Sequence, residues 1–146
     1  GNLMLTAFLA LLLQSAPIAA PTSPPSPTWP LTEADLLIRD FGFASGERLP
    51  ELKLHYATLG TPRRNARGEV VNAVMVLHGT GGSGRQFLSP QFANELYGPG
   101  QPLDIRRTFV ILPDNIGHGA SSKPSDGLRG RFPAYDYADM VEAQAR

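Results

Sequence analysis

One stretch, Asn72–Gly84 (Asn-Ala-Val-Met-Val-Leu-His-Gly-Thr-Gly-Gly-Ser-Gly), limits what this chain can become more than any other. The apolar run Ala73–Leu77 passes directly into His78-Gly79 and a glycine-rich turn. A run so short and so apolar predicts a strand buried on both faces, as in a parallel sheet. The glycines that follow let the backbone approach a partner closely. Turns of this kind at the end of a parallel strand aim backbone N–H groups at an anion or a developing oxyanion.

A second run, Phe109–Leu112, ends in Pro113-Asp114-Asn115-Ile116-Gly117-His118-Gly119-Ala120-Ser121-Ser122, another glycine-containing turn. Between the two runs, Gln91–Tyr97 reads as a short helix stopped by Gly98-Pro99-Gly100. Two parallel strands joined through a helix form a βαβ unit. Upstream, Leu36–Phe43 is a candidate strand, Ser45-Gly46 a turn, and Leu52–Leu59 a half-buried strand antiparallel to the first. In that second strand Leu52, Leu54, Tyr56 and Thr58 alternate with Lys53, His55 and Ala57. Thr61–Val71 is a polar loop, and its arginines Arg63, Arg64 and Arg67 read as solvated. After a long loop, Lys123–Ala134, the segment Tyr135–Arg146 places Tyr137, Met140, Val141 and Ala145 on one helical face, with Asp136 as N-cap and Asp139 in the first turn. The chain stops inside that pattern and starts at Gly1, which suggests a fragment.

The 146 residues suffice for one modest domain. Lysine plus arginine and aspartate plus glutamate balance at 13 each, so no nucleic-acid partner is expected. Cysteine is absent, which removes disulfides, a thiolate nucleophile and thiolate zinc sites. Residues 1–32 carry no charge, and Leu3–Leu13 is apolar except for Thr6. With the small residues up to Ala20, this predicts a signal peptide over 1–20, with Met4 as an alternative start and an uncleaved membrane anchor as the competing reading. A secreted or periplasmic protein is expected, with no stable membrane association once the signal is cleaved. Pro21–Pro30 is a proline-rich linker, and residues 31–146 form the folded part.

Together these features resemble the α/β-hydrolase fold, and within it the homoserine O-acetyltransferase-like branch. The resemblance rests on Leu77-His78-Gly79-Thr80-Gly81-Gly82, Gly98-Pro99-Gly100-Gln101-Pro102-Leu103-Asp104, Phe109-Val110-Ile111-Leu112-Pro113-Asp114-Asn115, and Phe132-Pro133 through Asp139-Met140-Val141-x-Ala143-Gln144. It covers about Leu36–Arg146. It implies an α/β chain forming the N-terminal half of an α/β-hydrolase sheet, an antiparallel hairpin followed by a parallel βαβ unit, truncated before the nucleophile elbow. In that family Gly-x-Ser-x-Gly follows the next strand. No such motif occurs here, so the resemblance places nucleophile, acid and base beyond Arg146. What it assigns to this chain is half an oxyanion hole, the backbone N–H of Thr80 and, second, that of Gly79. His78, Gly81, Gly82, Asp114, Gly117, His118 and Gly119 are assigned to shaping the turns or lining the pocket.

Three sharper readings compete. Gly79–Gly84 matches the dinucleotide fingerprint G-x-G-x-x-G, but that motif needs an acidic residue roughly 20 residues on at a strand end, and Asp114 comes about 30 residues after Gly84. Ser83, Asp114 and His118 follow the order of a catalytic triad, yet Ser83 lacks the elbow context and the other two share one short turn. His55, His78 and His118 match no metal-ligand spacing. The expected parent is therefore a serine enzyme that forms an acyl-serine from a small-molecule acyl substrate and passes it to water. Transfer from acyl-CoA to an alcohol is the alternative, and an inactive fragment or binding pseudoenzyme a third. No metal or organic cofactor is implied, and nothing in the sequence fixes the number of subunits.

Overall fold

The computed structural model describes residues 28–136, 138–140 and 143. The leader expected over 1–20, most of the linker, and the helical positions Tyr137, Val141 and Ala145 lie outside these residues. Four strands form one mixed sheet: β1 (Leu31–Gly42), β2 (Arg48–Leu59), β3 (Ala73–Met75) and β4 (Phe109–Pro113). Their order across the sheet is β1-β2-β4-β3. β1 and β2 are an antiparallel hairpin, β4 runs antiparallel to β2, and β3 lies parallel to β4. The hairpin and the parallel pair are thus both present.

The hairpin is longer than the alternation in the sequence predicts. Leu31 pairs with Leu59 at one end and Gly42 with Arg48 at the other. The ladder has one fault, between Arg39↔Glu51 and Phe41↔Leu49, where Asp40 takes a positive φ of 50° and Pro50 has no N–H to give. Arg48 holds that fault by bonding the Asp40 carboxylate at 2.7 Å.

One face of the sheet is covered by a single 3-10 turn (Gly84–Leu88) and helix α1 (Pro90–Leu96). Pro90 opens the helix at a position where its missing N–H costs nothing. Ala57, Leu59, Val110 and Leu112 from the sheet pack there against Ala93 and Tyr97. Trp29, inside the expected linker, joins this cluster edge-on to Tyr97. Packing therefore includes a residue of the segment expected to be linker. The segment Gly98–Asp104 closes on a buried carboxylate: Asp104 accepts the Gly100 N–H at 2.8 Å and pairs with Arg106 at 2.7 Å. The Arg106 guanidinium, with the backbone donors, holds Asp104 far below the usual carboxylate range. A second cluster at the other end of the hairpin gathers Phe41, Phe43, Leu52, Ile116 and Ala143.

The expectation for Ala73–Leu77 fails in one respect. Only Ala73–Met75 is in the ladder, followed by one further bond from Val76 N–H to the Ile111 carbonyl. Val74, Met75 and Leu77 are exposed. β3 has β4 on one side only, and among the described residues nothing covers its outer face. That face continues into a shallow trough of about 510 Å³, with Leu36, Leu54, Tyr56, Phe109 and Ile111 in its lining.

Candidate active site

Because β3 and β4 are parallel neighbours, their C-terminal ends lie side by side, and both glycine turns leave the sheet together. Asp114, the first residue after β4, ties them. It is 5% exposed, and its Oδ1 accepts the Gly84 N–H at 2.8 Å while Oδ2 accepts the Ala120 N–H at 2.9 Å. One carboxylate thus fastens both turns. Gly119 has to be glycine here, since it takes φ 50° and a Cβ would run into the Asp114 carboxylate.

His78 makes the next link. Its Nδ1–H donates to the Gly79 carbonyl at 2.8 Å, and its Nε2 accepts the Asn115 N–H at 3.0 Å. Those two partners assign the tautomer, since a carbonyl needs a donor and an N–H needs an acceptor. The Asn115 amide donates to the His78 carbonyl at 3.2 Å. Both residues are buried. Asn115 is a site residue that sequence reasoning did not single out. Its signal was available, as a second polar residue directly following an apolar strand that ends in Asp114.

Gly79–Gly82 is a tight turn, with Gly82 N–H donating to the Gly79 carbonyl at 3.2 Å. Gly81 has φ 79° at its third position, which is the type II pattern. Thr80 occupies the second position, at the exposed tip. Among the described residues, the N–H groups of Gly79 and Thr80 meet no acceptor. They border a pocket of about 200 Å³ lined also by His78, Asn115, His118 and Met140. His118 reaches it from the other turn: its Nε2 lies 3.3 Å from the Gly81 nitrogen and its Nδ1 is 3.1 Å from the Ile116 carbonyl. Gly117, at φ 83°, lies against Tyr135.

Ser83, Asp114 and His118 are not assembled as a triad. Both Asp114 oxygens are taken by backbone N–H groups, and the His118 Nε2 faces the Gly81 N–H. Ser121 and Ser122 instead continue the sheet, accepting the N–H groups of His55 and Lys53 at 2.9 and 2.8 Å. His55 is far from a metal-ligand arrangement with the other histidines. Its ring bonds the Asp35 carboxylate at 2.6 Å and approaches Glu33 at 3.4 Å. Partial burial of the ring opposes its charge, but these two carboxylates, with the Asp114 charge behind them, outweigh it and raise its pKa. At the chain's far end, Asp136 and Asp139 exchange hydrogen bonds between backbone N–H and carboxylate, at 3.0 and 3.1 Å, as a reciprocal N-cap. Asp139 also accepts the Ala44 N–H at 2.7 Å and so anchors that helical turn to the hairpin.

A mixed sheet with this strand order and two glycine turns at the ends of its parallel pair is the α/β-hydrolase fold. Solved structures agree. An acetylester hydrolase from Corynebacterium glutamicum superposes with a TM-score of 0.63 at 24% identity, over 77% of this chain and 31% of its own. A homoserine O-acetyltransferase from Staphylococcus aureus does so with a TM-score of 0.58 at 23% identity, over 80% and 34%.

Within that fold the chain is kin to the homoserine O-acyltransferases. It is 35% identical over 121 residues to a homoserine O-acetyltransferase of Leifsonia xyli, covering 72% of this chain and 29% of the relative. It is 39% identical over 119 residues to a homoserine O-succinyltransferase of Aromatoleum aromaticum, covering 70% and 30%. The chain thus spans about three-tenths of the length of these relatives. No family model matches it.

Proposed function

We propose that this chain is the oxyanion-hole portion of a serine acyl-transfer enzyme, with nucleophile, acid and base beyond Arg146. The observation that carries this reading is the Gly79–Thr80 turn. Two backbone N–H groups that meet no acceptor among the described residues stand on a pocket, at a strand end fastened by Asp114 and His78. A tetrahedral intermediate needs such preorganised donors at its developing negative oxygen. The acyl-serine is passed to water, making the activity hydrolysis of an ester or related acyl compound. The uncharged apolar leader supports this acceptor, because export would separate the enzyme from biosynthetic acyl-CoA. The names of the sequence relatives support a second reading, transfer of an acyl group to an alcohol such as homoserine, with acyl-CoA as the donor that the family resemblance implies.

Thr80→Pro tests the turn. Proline suits the second position of a type II turn, so the substitution deletes the N–H while keeping the backbone path. In the complete polypeptide kcat for p-nitrophenyl acetate should fall about a hundredfold with KM unchanged. A kcat within about threefold of wild type would remove Thr80 from the oxyanion hole. Turnover of acetyl-CoA with homoserine, measured on the same preparation, decides between the two acceptors. N-terminal sequencing of the protein recovered outside the cytoplasm decides whether residues 1–20 direct export.

A further inference from the structure

We infer that His118 is a positioning residue that holds the Gly79–Thr80 turn only while its ring is uncharged. This rests on the reading of that turn as half an oxyanion hole. The two glycine turns exchange histidines reciprocally. His78, on the turn after β3, accepts an N–H from Asn115 on the turn after β4. His118, on the turn after β4, accepts an N–H from Gly81 on the turn after β3. Each ring's Nδ1 faces a carbonyl of its own turn, that of Gly79 for His78 and that of Ile116 for His118. Both rings therefore carry the proton on Nδ1 and the lone pair on Nε2. They meet edge to face at a centroid distance of 5.3 Å.

The two halves of this exchange are not equivalent. His78 is buried, and its contacts lie at the base of the turn. His118 is only partly buried, borders the pocket, and holds Gly81, the residue next to Thr80. A proton arriving on its Nε2 sets N–H against N–H, so the Gly81 contact becomes repulsive and the tip loses its cross-turn tether. The charged groups around the ring do not take over that role. Asp114 is occupied by Gly84 and Ala120, and Lys123 binds the Gly119 carbonyl. Asp139 on the helical segment faces Ala44 and Asp136, and His55 on β2 turns its ring to Asp35. Met140, the remaining neighbour at the pocket, is uncharged.

The test is made on the complete polypeptide in two arms. In ¹⁵N spectra the neutral His118 ring should show the Nδ1–H tautomer, and protonating the ring should shift the Gly81 amide. The Nε2–H tautomer, or a Gly81 amide indifferent to His118, overturns the inference. In the kinetic arm, His118→Phe keeps an aromatic ring beside His78 but has no acceptor. It should lower kcat about tenfold with KM unchanged, and add little to the loss already caused by Thr80→Pro. A kcat for His118→Phe within about twofold of wild type, or a full tenfold loss on top of Thr80→Pro, also overturns it. If Thr80→Pro alone is silent, the oxyanion assignment fails, and the spectra still decide whether His118 holds the turn.

Discussion

Asp114→Ala should cost this fold more than a buried side chain of its size normally would. The carboxylate is the single acceptor for two N–H groups on different turns. Hydrogen bonds to a charged acceptor are worth ~1.5–3 kcal/mol net, and a donor left dry loses the upper end of that range. Gly84 and its bond to Asp114 are both buried, so its N–H loses its partner away from solvent and the loss there is ~2–3 kcal/mol. Ala120 is exposed and rehydrates, which limits its share to under ~1 kcal/mol. The sum is about 3 kcal/mol for Asp114→Ala. Asp114→Asn can keep its oxygen on Gly84 and turn its amide toward Ala120, so it should cost about 1 kcal/mol. In urea unfolding of the complete polypeptide, with m near ~2 kcal/mol/M, the midpoints should drop by about 1.5 M and 0.5 M. An Asp114→Ala protein within ~1 kcal/mol of wild type would refute the reasoning, as would an asparagine variant that is the less stable of the two.

Gly119→Ala forces a side chain into φ 50° and against the Asp114 carboxylate, and should destabilise by at least ~2 kcal/mol. Gly68→Ala, at φ 81° with open space around it, should cost only ~1 kcal/mol, and thermal melts of the pair separate steric exclusion from backbone conformation. The raised pKa of His55 has a defined sign. Its contribution to stability is complete below the ordinary value of 6.5 and is lost as pH rises through the raised folded-state value. The Tm gap between wild type and His55→Gln should therefore shrink with rising pH across that window, and a widening gap would contradict the Asp35–Glu33 clamp.

The parts of the fold legible in the sequence were those in which local pattern and tertiary context agree. The apolar run Phe109–Leu112 is a central strand, with Val110 and Leu112 buried and Phe109 and Ile111 half-buried along the trough, and helix α1 is bounded by Pro90 and by Gly98-Pro99-Gly100. The hairpin's true length was hidden for two physical reasons. Pro50 reads as a strand breaker, yet it sits at the one fault that Asp40 makes in the ladder. Leu31–Asp35 has weak alternation, and its pairing is set by β2 across from it. Ala73–Leu77 was the reverse case: its composition asks for cover on both faces, yet among the described residues all three residues of β3 are left exposed. At the site, the glycines and the two histidines were visible, but their exchange between turns was not. Spacing along a chain does not tell which nitrogen of a ring faces which turn, and that geometry appears only when β3 and β4 lie side by side.

The strand order β1-β2-β4-β3 also sets a timetable for synthesis. As the chain leaves the ribosome, the hairpin can close on itself, since its partners are near in sequence. Ala73–Met75 emerges next but has nowhere to dock, because the strand it pairs with, Phe109–Pro113, has not been made. Until that strand slots in beside β2, the backbone groups of Ala73–Met75 travel without their ladder partners in an apolar segment, the kind that chaperones hold and that neighbouring nascent chains pair with. Translation speed across the intervening helix should therefore govern how much of this protein reaches its native sheet, and slow codons there should lower the soluble yield without altering a single residue.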